Sequence, residues 1–369
     1  MSKIGVIGGG QLGRMLGLAG LPLGHEFRFY DPSPLSPARH VGGLSVGAFD
    51  DFNSLLAFAA DCDFITYEFE NVPVRAAEML NNVRPVRPHP SALRVSQHRA
   101  AEKQFIRSHG IDTAPFVYPV ATLSDLTSGL NDLGGTAVLK TCTLGYDGKG
   151  QRLLRTQSDA VSAWGELGGH ELILEGFVKF DREVSLIAAR TVGGDFYSFP
   201  LTENVHRDGI LRRSTALLPG AEGRLQAAAE DYVQRLMVAL NYVGVLAVEF
   251  FVVGDTLVAN EMAPRVHNTG HWTIDGAFTS QFEAHIRAIS GLPLSPLVQH
   301  TSSVMVNIVG DLPNIAAVMK LPGTHLHLYD KAPRAGRKLG HITVCMEDTR
   351  ELAETTRRLE SITPWVVNL

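Results

Sequence analysis

The segment GTAVLKTCTLGYDGKGQ, Gly135–Gln151, decides how the rest of the chain is read. A short β-type run, Ala137–Leu139, delivers Lys140, and a loop with Gly145, Gly148, Lys149 and Gly150 follows. Backbone N–H groups freed by glycine approach phosphate oxygens closely, and two ammonium groups offset their charge. The pattern is not a Walker A loop, which needs Gly-Lys-Ser/Thr opening a helix; here Lys149 is followed by Gly150. A hairpin turn with solvated lysines would read the same way, so the neighbours must decide.

The 369 residues suggest two or three domains at about 150 residues each. A hydrophobic content of 45% with 19% charged residues describes a globular chain. A net charge of −5 argues against a general nucleic-acid binder. Cys62, Cys142 and Cys345 form no CxxC pair, so neither a zinc site nor a disulfide framework is suggested, and Cys142 reads as a structural thiol. No apolar run long enough to span a membrane and no signal-type N-terminus are seen, so a cytoplasmic enzyme is expected.

Upstream, a buried strand at Ile4–Ile7 runs into Gly8-Gly9-Gly10-Gln11-Leu12-Gly13, which satisfies GxGxxG. A helix over Arg14–Leu21 and a strand Glu26–Tyr30 ending at Asp31 complete a βαβ unit. This admits a dinucleotide, or another phosphate-bearing ligand contacted by Gln11. The strand Asp63–Tyr67 ends in Glu68, placed to accept hydrogen bonds from a ligand at the carboxyl edge of the sheet. A helix Gln97–His109 sets Arg99 and Lys103 on one stripe.

Downstream, the strand Glu171–Glu175 leads into Gly176, Phe177 and Val178, a hinge suited to an adenine pocket. His206 sits in a polar turn. Val245–Phe251 and Thr256–Glu261 flank Gly254-Asp255 as a hairpin, and Glu249 and Glu261 lie equally far from position 255. A three-residue turn would set them opposite; a two-residue turn would leave them one step out of register. Two carboxylates in apolar strands repel unless a cation lies between them, and all-oxygen ligands point to Mg2+. Arg265, His267 and Asn268 follow at once, suited to orienting an oxyanion and a nucleophile. A last unit has strands near Ser303–Ile308, His325–Tyr329 and His341–Cys345. Its loop carries Lys331, Arg334, Arg337 and Lys338, able to clamp a monophosphate.

A lysine strand, a glycine-lysine loop, an acidic hinge and paired glutamates, in this order, are similar to the ATP-grasp superfamily. GGGQLGRM, GYDGKGQ, TENVHRDGI and NEMAPRVHNTGHWT closely resemble the N5-carboxyaminoimidazole ribonucleotide synthetases, over residues 3 to about 345. The resemblance implies a mixed α/β and α+β fold: a Rossmann-like domain (1–98), a two-lobed ATP-grasp domain (99–291, mobile lobe about 114–178) and a small β-rich C-terminal domain (292–369). It implies that ATP, bicarbonate and 5-aminoimidazole ribonucleotide give the N5-carboxy product, ADP and phosphate through carboxyphosphate.

ATP would contact Arg99, Lys140, Gly145, Tyr146, Asp147, Gly148, Lys149, Gly150, Gln151, Glu175, Gly176, Phe177, Val178, Glu183, His206, Asn260 and Glu261. Glu249 and Glu261 would hold Mg2+. Gln11, Leu12, Glu68, Tyr146, Asp147, Lys149, Asn268, Lys331, Arg337 and Lys338 would bind the ribonucleotide, and Arg265, His267 and Asn268 would serve catalysis. A homodimer and a separate mutase for the next step are implied, with no nucleic-acid or membrane partner. The family loop usually has glycine where Leu144 stands, which predicts a stiffer loop. The rivals are a formate-dependent glycinamide ribonucleotide formyltransferase, a dinucleotide-dependent oxidoreductase built on Gly8–Gly13 and Asp31, and a non-catalytic nucleotide sensor.

Overall fold

The computed structural model describes residues 1–145, 149–218, 220 and 222–363. Three sheets organise it. The first is parallel, in the order β3-β2-β1-β4, from β1 (Lys3–Ile7), β2 (Glu26–Asp31), β3 (Gly43–Val46) and β4 (Phe64–Tyr67). Parallel pairing of β1 with β4 puts their carboxyl ends side by side, where the GxGxxG turn and Glu68 emerge. The helix after the turn runs Gln11–Gly20, three residues earlier than its apolar spacing suggests, because Gly10 serves as its N-cap.

The second sheet is antiparallel, in the order β5-β8-β6-β7, from β5 (Phe116–Val117), β6 (Ala137–Thr141), β7 (Gln151–Leu154) and β8 (Leu172–Gly176). Two helices cover it, Leu123–Asp132 and Gln157–Leu167, each opened by a threonine-aspartate capping box. Leu126, Leu130, Leu139, Leu154, Leu172 and Leu174 belong to a core that this unit buries for itself.

The third sheet has nine strands: β9 (Arg182–Arg190), β10 (Phe196–Ser198), β11 (Thr202–Arg207), β12 (Ile210–Ala216), β13 (Gly244–Val253), β14 (Thr256–Ala263), β15 (Ser302–Val309), β16 (Thr324–Leu328) and β17 (Lys338–Met346). The main path is β14-β13-β9-β11-β12-β15-β17-β16, with β10 on β9. The C-terminal strands thus extend the central sheet through the β12–β15 pair and do not form one of their own. A large core joins this sheet to the first: Leu16, Phe27 and Phe29 share a cluster with Val245, Phe282 and Ile286. The helix Gln281–Ser290 lies against Gln11–Gly20 at that seam.

The expected helix Gln97–His109 is slightly shorter than its bounds: a first helix, Pro90–Ser96, ends before it, and the second runs Arg99–Ser108. The His98 ring accepts the Ala101 N–H and caps the second, so Arg99 opens a helix.

Candidate functional site

The GxGxxG turn comes first, because its geometry settles one rival. The N–H groups of Gly10 and Gly13 donate to the two carboxylate oxygens of Glu68, the second at 2.6 Å. The Gly9 N–H donates to Asp31 at 2.8 Å. A Cβ on Gly8 or Gly10 would come within 2.5 Å of the Glu68 side chain. The glycines therefore admit an internal carboxylate where a dinucleotide fold admits a pyrophosphate, and Asp31 is engaged with the turn. Those donors already have their anion, which removes the basis of the oxidoreductase reading.

The hairpin follows. Its turn has two residues, with Val253 paired to Thr256, which alone would leave the glutamates out of register. A β-bulge at Asn260 takes up the extra residue, and Glu249 pairs directly with Glu261. Burial, then the charge of Glu261, raise the Glu249 carboxyl above its ordinary range. Glu183 on β9 and His206 on β11 lie beside the pair. Burial opposes charge on His206, but its hydrogen bond to Glu183 and the carboxylates around it outweigh burial and raise its pKa.

A cleft of about 810 Å³ opens between the sheets. From the second sheet and its approach it is lined by Arg99, Lys140, Gly145, Lys149 and Gln151. Across the third sheet it meets Glu183, His206, Glu249, Asn260 and Glu261. From the turns beyond the first sheet come Gln11, Leu12 and Glu68; from the segment after β14, Arg265, His267 and Asn268; from the loop before β17, Lys331 and Arg337, with Lys338 at the start of the strand. Gly150, Glu175, Gly176, Phe177 and Val178 are not among the lining residues. Tyr146, Asp147 and Gly148 lie outside the described residues.

Glu175 sits behind the wall, 3% exposed, between Lys140 at 3.0 Å and Lys103 at 3.1 Å. Burial raises its pKa, but the two ammonium groups prevail and hold it down at about 2. Lys103, itself 2% exposed, also donates to the Asn260 carbonyl, tying the bulge to this cluster. Arg99 links the two ends of the site, with its guanidinium 3.4 Å from both Glu261 and the Gly145 carbonyl. Lys103 and Lys140 thus share the Glu175 carboxylate while Arg99 beside them reaches Glu261, which leaves this wall of the cleft suited to an anion.

The remaining groups are held from behind. Arg265 is paired with Glu70, and Asn268 exchanges amide hydrogen bonds with Asn307 on β15 at 2.7 and 3.0 Å. Burial, then the positive charge of Arg265, push the His267 pKa well below its ordinary value, so its imidazole is neutral. Burial, then Arg337, Lys338 and Arg334, depress Lys331 against the pull of Glu68. That depression reflects burial first and the neighbouring like charges second.

Glu70, Lys103 and Asn307 have supporting roles that the motifs did not assign. Lys103 is visible as a basic position one turn from Arg99. Glu70 repeats Glu68 two residues on, at the same strand end. Asn307 is the one amide inside the buried run SSVMVNIV, a cue in itself.

A nucleotide cradle between two antiparallel sheets, with paired carboxylates on one and a lysine on the other, defines an ATP-grasp enzyme. The family model for the ATP-grasp domain matches residues 104–282. Models for the ribonucleotide synthetase preATP-grasp domain and the phosphoribosylaminoimidazole carboxylase C-terminal domain match 1–97 and 303–355. The N5-carboxyaminoimidazole ribonucleotide synthase of Pseudomonas aeruginosa is 47% identical over 98% of this chain and 99% of its own. The Thermus thermophilus synthetase structure superposes with a TM-score of 0.93 at 53% identity, covering 99% of both chains. An Aspergillus clavatus synthase, solved with ADP and 5-aminoimidazole ribonucleotide, gives 0.92 at 30% identity over 98% of both. The chain belongs to the N5-carboxyaminoimidazole ribonucleotide synthase family and is an ATP-dependent ligase.

Proposed function

We propose that this chain carboxylates 5-aminoimidazole ribonucleotide at its exocyclic amine, using bicarbonate and ATP. The observation that carries the reading is electrical. One cleft contains a cluster of two lysines and an arginine around a single buried carboxylate, a pair of directly opposed glutamates, and a basic loop at Lys331–Lys338. A metal-bound triphosphate satisfies the first two, and a ribonucleotide monophosphate satisfies the third.

Lys140, Arg99 and the loop Gly145–Gln151 would hold the phosphates, and Glu175 would act mainly by fixing Lys140. Glu175 Oε1 is buried and accepts no hydrogen bond among the described residues, so its charge is balanced by the lysines on the other oxygen. Glu249 and Glu261, directly opposed and rich in hard oxygen donors, fit Mg2+, which when bound screens the β- and γ-phosphates. A bicarbonate oxygen attacks the γ-phosphorus and ADP departs. The substrate amine then attacks the carboxyl carbon of carboxyphosphate, or of CO2 released from it; phosphate leaves and the nitrogen loses a proton. Arg265, fixed by Glu70, would neutralise the acyl phosphate, and neutral His267 would hydrogen-bond it without adding charge. Asn268 would orient the ribonucleotide with Gln11, Leu12 and Glu68.

We take the domain limits as 1–98, 99–291 and 292–369, with residues of about 114–178 as the closing lobe. The separate leucine core of the second sheet supports that division. Closure would shield a hydrolysable intermediate from water. No described helix is long and apolar enough to cross a membrane. A cytoplasmic homodimer passing its product to a separate mutase completes the reading.

The test is ADP release with 5-aminoimidazole ribonucleotide plus bicarbonate, against glycinamide ribonucleotide plus formate. Turnover is expected with the first pair only. Turnover with the second pair alone would move the chain to the formyltransferases, and turnover with neither would end both readings.

A further inference from the structure

Outside the carboxylate pair, three unlike metal-ligating side chains converge. They are His98 at the cap of the helix Arg99–Ser108, Cys142 just past β6, and Glu171 just before β8. One donor atom from each lies within 4.8 Å of the other two. The His98 Nε2 is already 3.2 Å from the Glu171 carboxylate, which also accepts the Tyr118 hydroxyl at 2.6 Å. The backbone holds the three together: the Arg99 N–H donates to the Cys142 carbonyl at 2.9 Å, and the Cys142 N–H to the Glu171 carbonyl at 2.8 Å. Ala100, Ile173 and Phe116 pack around the Cys142 sulfur, while Glu171 opens the group to solvent. No short-range motif links positions 98, 142 and 171, which is why the sequence shows no zinc signature.

We propose that His98, Cys142 and Glu171 form a second metal site, taking a thiophilic divalent cation such as Zn2+, and that its occupation opposes ATP binding. One sulfur, one imidazole nitrogen and one carboxylate, with a fourth position open to solvent, are a ligand set that Zn2+ accepts. Mg2+ rejects it, because it binds oxygen donors and holds its waters. The two sites of this chain are therefore separated by softness. Binding replaces the Cys142 S–H bond by a sulfur–metal bond and releases that proton to solvent.

The coupling follows from the histidine tautomer. In the metal-free chain the His98 Nδ1 accepts the Ala101 N–H at 3.3 Å, so in the neutral ring the proton is on Nε2. A metal on Nε2 moves that proton to Nδ1, and the helix loses its N-cap. Arg99 is the first residue of that helix and reaches both Glu261 and Gly145, while Cys142 follows Lys140 by two residues in the cleft wall. Occupation thus shifts two of the cations assigned to ATP. This second part rests on the ATP reading above; the site itself does not.

Co2+ is the probe, added to the full-length chain with excess Mg2+. A thiolate-to-cobalt charge-transfer band of one equivalent is expected. It should vanish in Cys142→Ser and fall at least tenfold in affinity in His98→Asn, where asparagine can still cap the helix. It should persist in Glu249→Gln. No band in the wild-type chain, or a band unaltered in His98→Asn, would overturn the site. One equivalent of Zn2+ is expected to raise the dissociation constant for ATP at least tenfold in wild type and not in Cys142→Ser. A cobalt band with unmoved ATP affinity would overturn the coupling alone. A chain that shows the band and binds no ATP without Zn2+ would overturn the function proposed above.

Discussion

Two groups of buried charge line the same cleft, and they are incomplete in opposite senses. Around Glu175 two lysines share one carboxylate; at Glu249 and Glu261 two carboxylates face one another, with Arg99 reaching Glu261 alone. The first is held together by its own Coulomb attraction, so its carboxyl is driven down to about 2. In the second, burial and then the facing charge of Glu261 drive the Glu249 carboxyl up. On the function proposed above, each would meet one half of a metal-nucleotide complex. The difference teaches that the lysine cluster contributes to folding before any ligand arrives, whereas the glutamate pair costs stability until a cation binds.

Substitution in the two clusters should break that contrast in opposite directions. Glu249→Gln and Glu261→Gln are expected to lower ligase turnover by more than about 100-fold, since even groups that only support metal ligands often cost that much. Glu249→Gln should also be more stable than wild type in EDTA by about 1–3 kcal/mol, because a repelling charge has been removed, whereas Glu261→Gln also takes a partner from Arg99. Thermal melts with and without Mg2+ check this: wild type should gain stability from the ion and the variants should not. A Glu249→Gln chain that is inactive but no more stable without metal would show that the pair is not strained.

Glu175→Gln should do the reverse. It leaves Lys103 and Lys140 buried without a counter-charge, at a cost of about 3–5 kcal/mol to the unit that β6 and β8 build. The Glu175 carboxyl titrates near 2 in the folded chain against an ordinary 4.5. A depressed carboxyl stabilises fully above its unfolded pKa and loses that contribution as pH falls through the folded one. Urea unfolding of wild type and variant should therefore differ by a constant amount above pH 5, and the gap should close between about 4.5 and 2. A pH-independent gap would assign the loss to packing.

Glu70→Gln should be milder, because it removes only what aims Arg265. Turnover is expected to fall about 10- to 100-fold, with little change in the KM for ATP. An equal change in both would place Arg265 in nucleotide binding. Its pairing across 195 positions is the kind of relation the sequence does not display.

What is readable in the chain is local. The lysine strand, the glycine loop, the hairpin and the basic loop before β17 each announce themselves within about ten residues, by composition and spacing. What is not readable depends on distant partners. GxGxxG is plain, yet its meaning turns on Glu68, 55 residues away from Gly13, whose carboxylate fills the nest. The opposition of Glu249 and Glu261 stays open in the sequence because turn length and bulge compensate, and no residue type marks Asn260 as the bulged one. Glu175 reads as an ATP contact in an acidic hinge, and the two lysines that hold its carboxylate come from separate elements that the sequence does not connect to it. The C-terminal strands read as a unit apart, and only the β12–β15 pairing joins them to the central sheet.

Leu144 carries the smallest expected effect, and it sharpens the comparison at its edge, where the lysine cluster passes into the glycine loop. It has φ of 60° and is 73% exposed, so it adopts a left-handed conformation without burial to compensate. For a residue with a Cβ that conformation costs about 1–2 kcal/mol, and glycine adopts it freely. The expectation of a stiffer loop thus gains a physical basis: leucine narrows the conformations open to the unliganded segment and strains the one adopted. Leu144→Gly relieves the strain and widens the ensemble, two effects that oppose one another in ATP affinity. We expect affinity within about threefold of wild type and faster proteolysis of the loop without nucleotide, with protection restored by ATP. Affinity and cleavage both unchanged would mean that the backbone at 144 is set by its neighbours and that leucine there has no consequence for closure.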